Sequence, residues 1–146
     1  MARLKTFRKR TAYRAGLFIK YHLAKKEKSP VFLIATRRTG SNFLLGLLNS
    51  VHGISFLSEV LHPDMYYGVR SSCITKRAVL RHIEHSLNSC EDRLCGAKLL
   101  LIHMQLHRLG PDDLRKRFPQ ARFIVLYRRS LVRQFISLKF AEKTGD

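Results

Sequence analysis

Two adjacent arginines, Arg37 and Arg38, stand in the stretch "TRRTGSN" with no carboxylate near them in the sequence to pair with. Guanidinium groups placed this way are suited to an anion, because their planar donor fork matches phosphate and sulfate oxygens. Thr39, Ser41 and Asn42 set short polar side chains around Gly40, and apolar runs lie on either side, "VFLIA" before and "FLLGLL" after. A strand that turns through glycine into a helix leaves several backbone N–H groups unpaired and presents the positive end of the helix dipole. Arginines, free N–H groups and small polar side chains together make an anion pocket. A magnesium-nucleotide loop does not fit. The pattern G-x-x-x-x-G-K-[ST], aligned on Gly40, puts Ala35 at the first glycine, Ser41 at the lysine and Asn42 at the metal-binding hydroxyl. A later strand run ends in "LYRR" and lacks the aspartate that would hold magnesium. The expected ligand is an anion that arrives without a metal.

The elements that must position this loop alternate in type. "VFLIA" is a buried-strand run, and "GSNFLLGLLNSVHG" is a helix in which Phe43, Leu44, Leu47 and Leu48 recur at three and four and which Gly53 ends. "ISFLSEVL" is a short strand or an extended piece, followed by the loop "HPDMYYGVRSS". "TKRAVLRHIEHSLNS" predicts a helix with Ala78, Val79, Ile83 and Leu87 inward. "GAKLLLIHM" predicts another buried strand, "GPDDLRKRF" a helix opened by Pro111, and "ARFIVLYRR" a further strand. The last helix, "SLVRQFISLKFAEKTG", takes Ser130 as its N-cap and Gly145 as its stop. Strands separated by helices imply an α/β fold, a parallel sheet flanked by helices, with ligands at the carboxyl ends of the strands.

The chain has 146 residues and 45% hydrophobic content, enough for one domain with a real core. Its 28 lysines and arginines against 10 acids give a net charge of +18, a field that gathers anions. The first segment, residues 1–29, holds ten of these basic residues and a single acid, Glu27, with Leu17, Phe18, Tyr21 and Leu23 on one side of an expected helix. That helix fits an anionic membrane surface or nucleic acid, or else packs on the domain with its basic face in water. Residues 30–146 form the expected α/β domain. Cys73, Cys90 and Cys95 show neither a C-x-x-C pair nor zinc spacing, which fits a reducing compartment, although Cys90 and Cys95 lie close enough in sequence to bridge. No run is long enough to cross a bilayer, so the expected location is cytoplasmic, at most peripheral to a membrane.

"RRTGSNFLLGLLNS" resembles the 5′-phosphosulfate loop of PAPS-dependent sulfotransferases, above all the bacterial branch that sulfates glycolipids and Nod factors, and more distantly the tyrosylprotein sulfotransferases. The family's second element is a strand ending in Arg, with a Ser eight residues later on the next helix. Arg129 and Ser137 in "RRSLVRQFIS" match it. The third is an acid soon after the first helix with a proline shortly beyond, and "LSEVLHP" offers Glu59 and Pro63. The resemblance spans about residues 31–146 and implies a P-loop-like sulfotransferase fold, with PAPS (3′-phosphoadenosine 5′-phosphosulfate) as sulfuryl donor and no metal. It implies that Arg37, Arg38, Thr39, Gly40, Ser41 and Asn42 hold the 5′ end and Arg129 and Ser137 the 3′-phosphate. Arg38 would stabilise the departing oxygen, and Glu59 would accept the proton of a sugar or glycolipid hydroxyl. The plainer role for Glu59 is an ion pair with Arg37 or Arg38. Ser130 stands where relatives carry Asp or Asn. Family members continue well past this helix, and that continuation completes the adenine pocket and acceptor cleft; the sequence stops at Asp146, which fits either a fragment, able to bind the nucleotide without turnover, or a divergent relative that works with a partner or has lost activity.

Other residues carry weaker signals. His103 follows a strand where related enzymes place a catalytic histidine, but a histidine beside "LLLI" also suits the core. His103 and His107, four apart, have metal-ligand spacing on a helix with no third ligand in view. Lys98 either snorkels or meets the loop anion. Arg128 and Arg133 neighbour the 3′-phosphate pair, or form a solvated basic face. The competing function is a basic nucleic-acid-binding protein, against which stand the absence of a recognised nucleic-acid motif and the aromatics' placement in apolar runs.

Overall fold

A computed structural model describes residues 29–62, 75–92 and 94–145. The basic N-terminal helix expected over 1–29, save its last residue, lies outside the described residues, as do Pro63, Cys73 and most of the loop around them.

Four strands form one sheet: β1 (Val31–Ala35), β2 (Ile54–Glu59), β3 (Leu94–Leu100) and β4 (Arg122–Leu126). Their order is β2-β3-β1-β4, and every pairing is parallel. The central position of β1 explains its unbroken apolar run, since a strand covered on both faces has no polar side to show. All five of its residues are buried. Alternate residues serve opposite faces. Val31 and Leu33 pack with Leu45 and Phe56, while Phe32 and Ile34 join Val79, Ile83, Leu87 and Leu114.

The first face is covered by α1 (Ser41–Asn49). The second is covered by α2 (Lys76–Asn88), α3 (Leu101–Leu106) and α4 (Pro111–Arg117), and α5 (Leu131–Thr144) follows β4. Capping fixes where several of these begin. The Thr75 hydroxyl accepts from the Ala78 N–H at 3.3 Å, the Ser130 hydroxyl from the Arg133 N–H at 3.3 Å, and the Asp113 carboxylate from the Gly110 N–H at 2.8 Å. Gly145 closes α5 with a φ of 78°.

Several expectations are corrected. Helix α1 ends at Asn49, and Gly53, at φ 80°, serves the turn into β2. Phe43 is 74% exposed and Leu47 51%, so the face of α1 that meets the sheet is Leu44, Leu45 and Leu48. Ala78 is exposed, and α2 buries only Val79, Ile83 and Leu87. The run "GAKLLLIHM" is not all strand: β3 stops at Leu100 and α3 follows at once, exposing Leu101 and Ile102 while burying His103 and Met104. Among the described residues, no helix is long and apolar enough to cross a membrane.

Edge strand β2 is tied to α1 by one side chain. Asn49 accepts from the Phe56 N–H at 2.6 Å and donates to the Phe56 carbonyl at 3.0 Å, satisfying backbone groups beyond the β3 ladder. A register irregularity between Leu57 and Glu59 brings Glu59 opposite Lys98 of β3. That shift decides the chemistry at the sheet's carboxyl end.

Candidate anion-binding site

The β1–α1 loop leaves the carboxyl end of the central strand, where open parallel sheets place their ligands. Arg38 is held at φ 60°, a left-handed conformation uncommon for a side-chain-bearing residue, and Gly40 at φ 87°. Gly40 has no side chain to cap α1, so the first-turn N–H groups are not taken by a capping residue. The Thr39 hydroxyl donates to the Thr36 carbonyl at 2.9 Å and tightens the turn.

Helix α5 clamps this loop from the other end of the chain. The Gln134 amide donates to the Thr36 hydroxyl at 2.8 Å and to the Arg37 carbonyl at 2.7 Å. One turn further on, the Ser137 hydroxyl accepts from Arg38 Nε at 3.1 Å. Arg128, just past the end of β4, donates from Nη1 to the Arg38 carbonyl at 3.3 Å. The result is an open cleft of about 300 Å³ lined by Arg38, Gly40, Ser41, Asn42, Arg128 and Ser137. Two guanidinium groups and, among the described residues, no carboxylate line it, so its sign is cationic and its donors suit oxyanions.

Of the loop residues read from sequence, Arg38, Gly40, Ser41 and Asn42 therefore share one cleft with Ser137. Arg37 and Arg129 are exposed, and neither they nor Thr39 is among the lining residues. The cationic partner supplied from the segment after β4 is Arg128. Arg133 is exposed on α5.

Behind the cleft lies a buried lysine. Lys98, 1% exposed, donates from Nζ to the Asn42 side-chain oxygen and to Glu59 Oε1, the latter at 2.9 Å. Glu59 thus pairs with Lys98, not with either loop arginine as the plainer reading had it. Its side chain is 30% exposed, so the carboxylate keeps contact with solvent while the ammonium does not. The chain Asn42–Lys98–Glu59 connects the anion cleft to a partly open carboxylate.

Glu59 has histidine neighbours too. Ligand-type atoms of Glu59, His62 and His103 all lie within 4.8 Å of one another, and the His62 and His103 rings meet edge to face at 5.2 Å. His107 is not in this group; its Nε2 lies 3.3 Å from the Leu61 carbonyl oxygen. Burial pushes the His103 imidazole below its usual 6.5, against the pull of the Glu59 carboxylate. Cys90 and Cys95 each direct a thiol to a backbone carbonyl, of Ser86 and Asp92 respectively.

Sequence reading passed over Gln134 and His62. Gln134 and Ser137 lie three apart on α5, which puts them on one helix face, and His62 follows Glu59 by three. Spacing was the available signal in both cases. No family model, curated protein or solved structure matches the chain.

Proposed function

We propose that this chain is a PAPS-dependent sulfotransferase with a P-loop-like sulfotransferase fold, moving a sulfuryl group to a hydroxyl of a carbohydrate or glycolipid. The observation that carries this reading is the Arg38–Ser137 hydrogen bond, which unites the first loop and the last helix at a single cationic cleft. Residues 99 positions apart meet there as the resemblance implies for the two phosphate ends of one nucleotide. An open cleft lined by two arginines, with a helix N-terminus on its wall, fits a phosphosulfate.

PAPS supplies an activated sulfuryl group and a leaving phosphate. Arg38 and the first-turn N–H groups of α1 face the charge that develops as the sulfur–oxygen bond to that phosphate breaks. Arg128 and Ser137 serve the second phosphate. Glu59 accepts the proton of the attacking hydroxyl, which becomes the new sulfate ester oxygen. Lys98 fixes the carboxylate through Oε1 and Asn42 through its side-chain oxygen, so that a proton acceptor and the anion loop share one rigid anchor.

Binding of adenosine 3′,5′-bisphosphate, read as a rise in melting temperature, tests the reading. Arg38→Ala removes charge-assisted hydrogen bonds worth about 1.5–3 kcal/mol, so nucleotide affinity is expected to fall roughly 10- to 100-fold. Glu59→Gln is expected to retain that affinity and lose transfer. A folded wild-type sample whose melting temperature ignores the nucleotide would sink the proposal. Binding of nucleic acid that collapses steeply with salt, in place of saturable nucleotide binding, would favour the competing function.

A further inference from the structure

Glu59, His62 and His103 come from the end of β2, the turn after it and the first turn of α3. Two imidazoles and one carboxylate are a donor set for borderline divalent ions such as Zn²⁺ or Co²⁺, and a poor one for Mg²⁺ or Ca²⁺, which prefer all-oxygen shells. In a tetrahedral zinc site, bonds of about 2.0–2.2 Å place ligand atoms roughly 3.4 Å apart. The present spacing, within 4.8 Å, already brings the three ligand atoms near that value.

His103 gives the independent reason to expect a ligand. It is 9% exposed, and its Nδ1 is fully enclosed with no hydrogen-bond partner among the described residues. An enclosed ring nitrogen without a partner is destabilising, and a buried polar group in that state calls for an explanation. Glu59 has capacity to spare as well, since Lys98 occupies Oε1 and a carboxylate has a second oxygen.

We propose that Glu59, His62 and His103 form a binding site for a divalent transition metal of the zinc class. Three protein ligands leave a fourth position for water or for a hydroxyl-bearing molecule. One consequence rests on the sulfotransferase reading: a metal on Glu59 withdraws the carboxylate from proton transfer, so zinc suppresses turnover. The metal site itself does not depend on that reading.

The test uses the full chain and Co²⁺ alone, titrated without nucleotide. One equivalent of Co²⁺ is expected to give visible d–d absorption of a four-coordinate ion, without the near-ultraviolet thiolate charge-transfer band that a cysteine site would show, and Zn²⁺ is expected to displace it. His62→Ala and His103→Asn, each checked for folding by circular dichroism, are expected to weaken binding by more than about 100-fold, because even changes outside the coordination sphere cost 10–100-fold. His85→Ala is expected to bind as the wild type. No absorption, a thiolate band, or binding that survives both His62→Ala and His103→Asn overturns the proposal. Nucleotide binding measured in metal-free buffer reports separately on the sulfotransferase reading, so the two fail independently.

Discussion

Lys98 and Glu59 form an ion pair whose halves differ sharply in burial, and the asymmetry yields a stability prediction. Removing the acid with Glu59→Leu leaves an ammonium that is 1% exposed with, among the described residues, only the Asn42 oxygen to accept from it. Breaking a buried pair from one side costs about 3–5 kcal/mol, and the remaining neutral acceptor places this case near the bottom of that range, about 3 kcal/mol. Removing the base with Lys98→Met leaves a carboxylate that is already 30% exposed and can be hydrated, while the thioether fills the lysine's stem volume. The loss is then about 1 kcal/mol, the net worth of the hydrogen bonds given up. For a chain of this size, 3 kcal/mol corresponds to a fall in melting temperature of roughly 6–12 °C. Urea unfolding of both single variants and of the double variant measures the difference directly. The double variant is expected to resemble Lys98→Met, because the charge stranded by the Leu substitution is gone. Should Lys98→Met prove as costly as Glu59→Leu, or should the cycle show coupling under about 0.5 kcal/mol, the pair is not the buried anchor described here.

Other perturbations are equally direct. A Cβ at Gly96 would lie 2.3 Å from the Phe56 ring, which is itself 5% exposed and has no room to retreat, so Gly96→Ala is expected to cost about 1–3 kcal/mol in urea unfolding. Asn49→Ala removes both side-chain bonds to Phe56 and is expected to cost about 1–2 kcal/mol, with faster hydrogen exchange at the β2 edge. Burial holds the His82 imidazole, bonded to the Val60 carbonyl, below its usual 6.5. The unfolded chain therefore takes up that proton first as pH drops, and stability falls with pH from about 6.5 downward; His82→Gln is expected to flatten the slope between about pH 7 and 5. Asp113 adds a second loss at lower pH, since its bonds to the Gly110 N–H and to Lys76 hold it below the usual 3.8 and that stabilisation vanishes on protonation.

The parts of this fold that were readable in the sequence are those with a local cause. The five apolar residues of β1, the Ser130 and Gly145 limits of α5 and the glycine turn before α1 each follow from propensity or capping over a few residues. The corrected parts depend on what lies opposite. Phe43 and Leu47 keep the helical spacing of Leu44 and Leu48, yet the sheet accepts only one side of α1. "LLLIHM" is apolar enough for a strand, and nothing in its composition marks the break at Leu100. The same holds at the site. The loop announced an anion pocket because arginines beside glycine have few other uses, whereas Gln134 and Arg128 matter through partners 90 to 98 residues away along the chain and His62 through His103, far along the chain on α3.

The buried lysine also dictates how the proton acceptor can be probed. Because Lys98 depends on Glu59 for its charge partner, substitutions at Glu59 act on stability and on the anion loop together, through Asn42. Glu59→Leu or Glu59→Ala would lower activity whether or not Glu59 touches a proton, since either one strands an ammonium behind the loop. Glu59→Gln keeps a carbonyl oxygen for Lys98 to donate to and removes only the charge and basicity. A general base predicts that this variant binds adenosine 3′,5′-bisphosphate within about twofold of the wild type and melts only a few degrees lower, with transfer reduced about 10²- to 10⁴-fold. A purely structural Glu59 predicts that transfer follows the lost stability and returns when the variant is assayed well below its melting temperature.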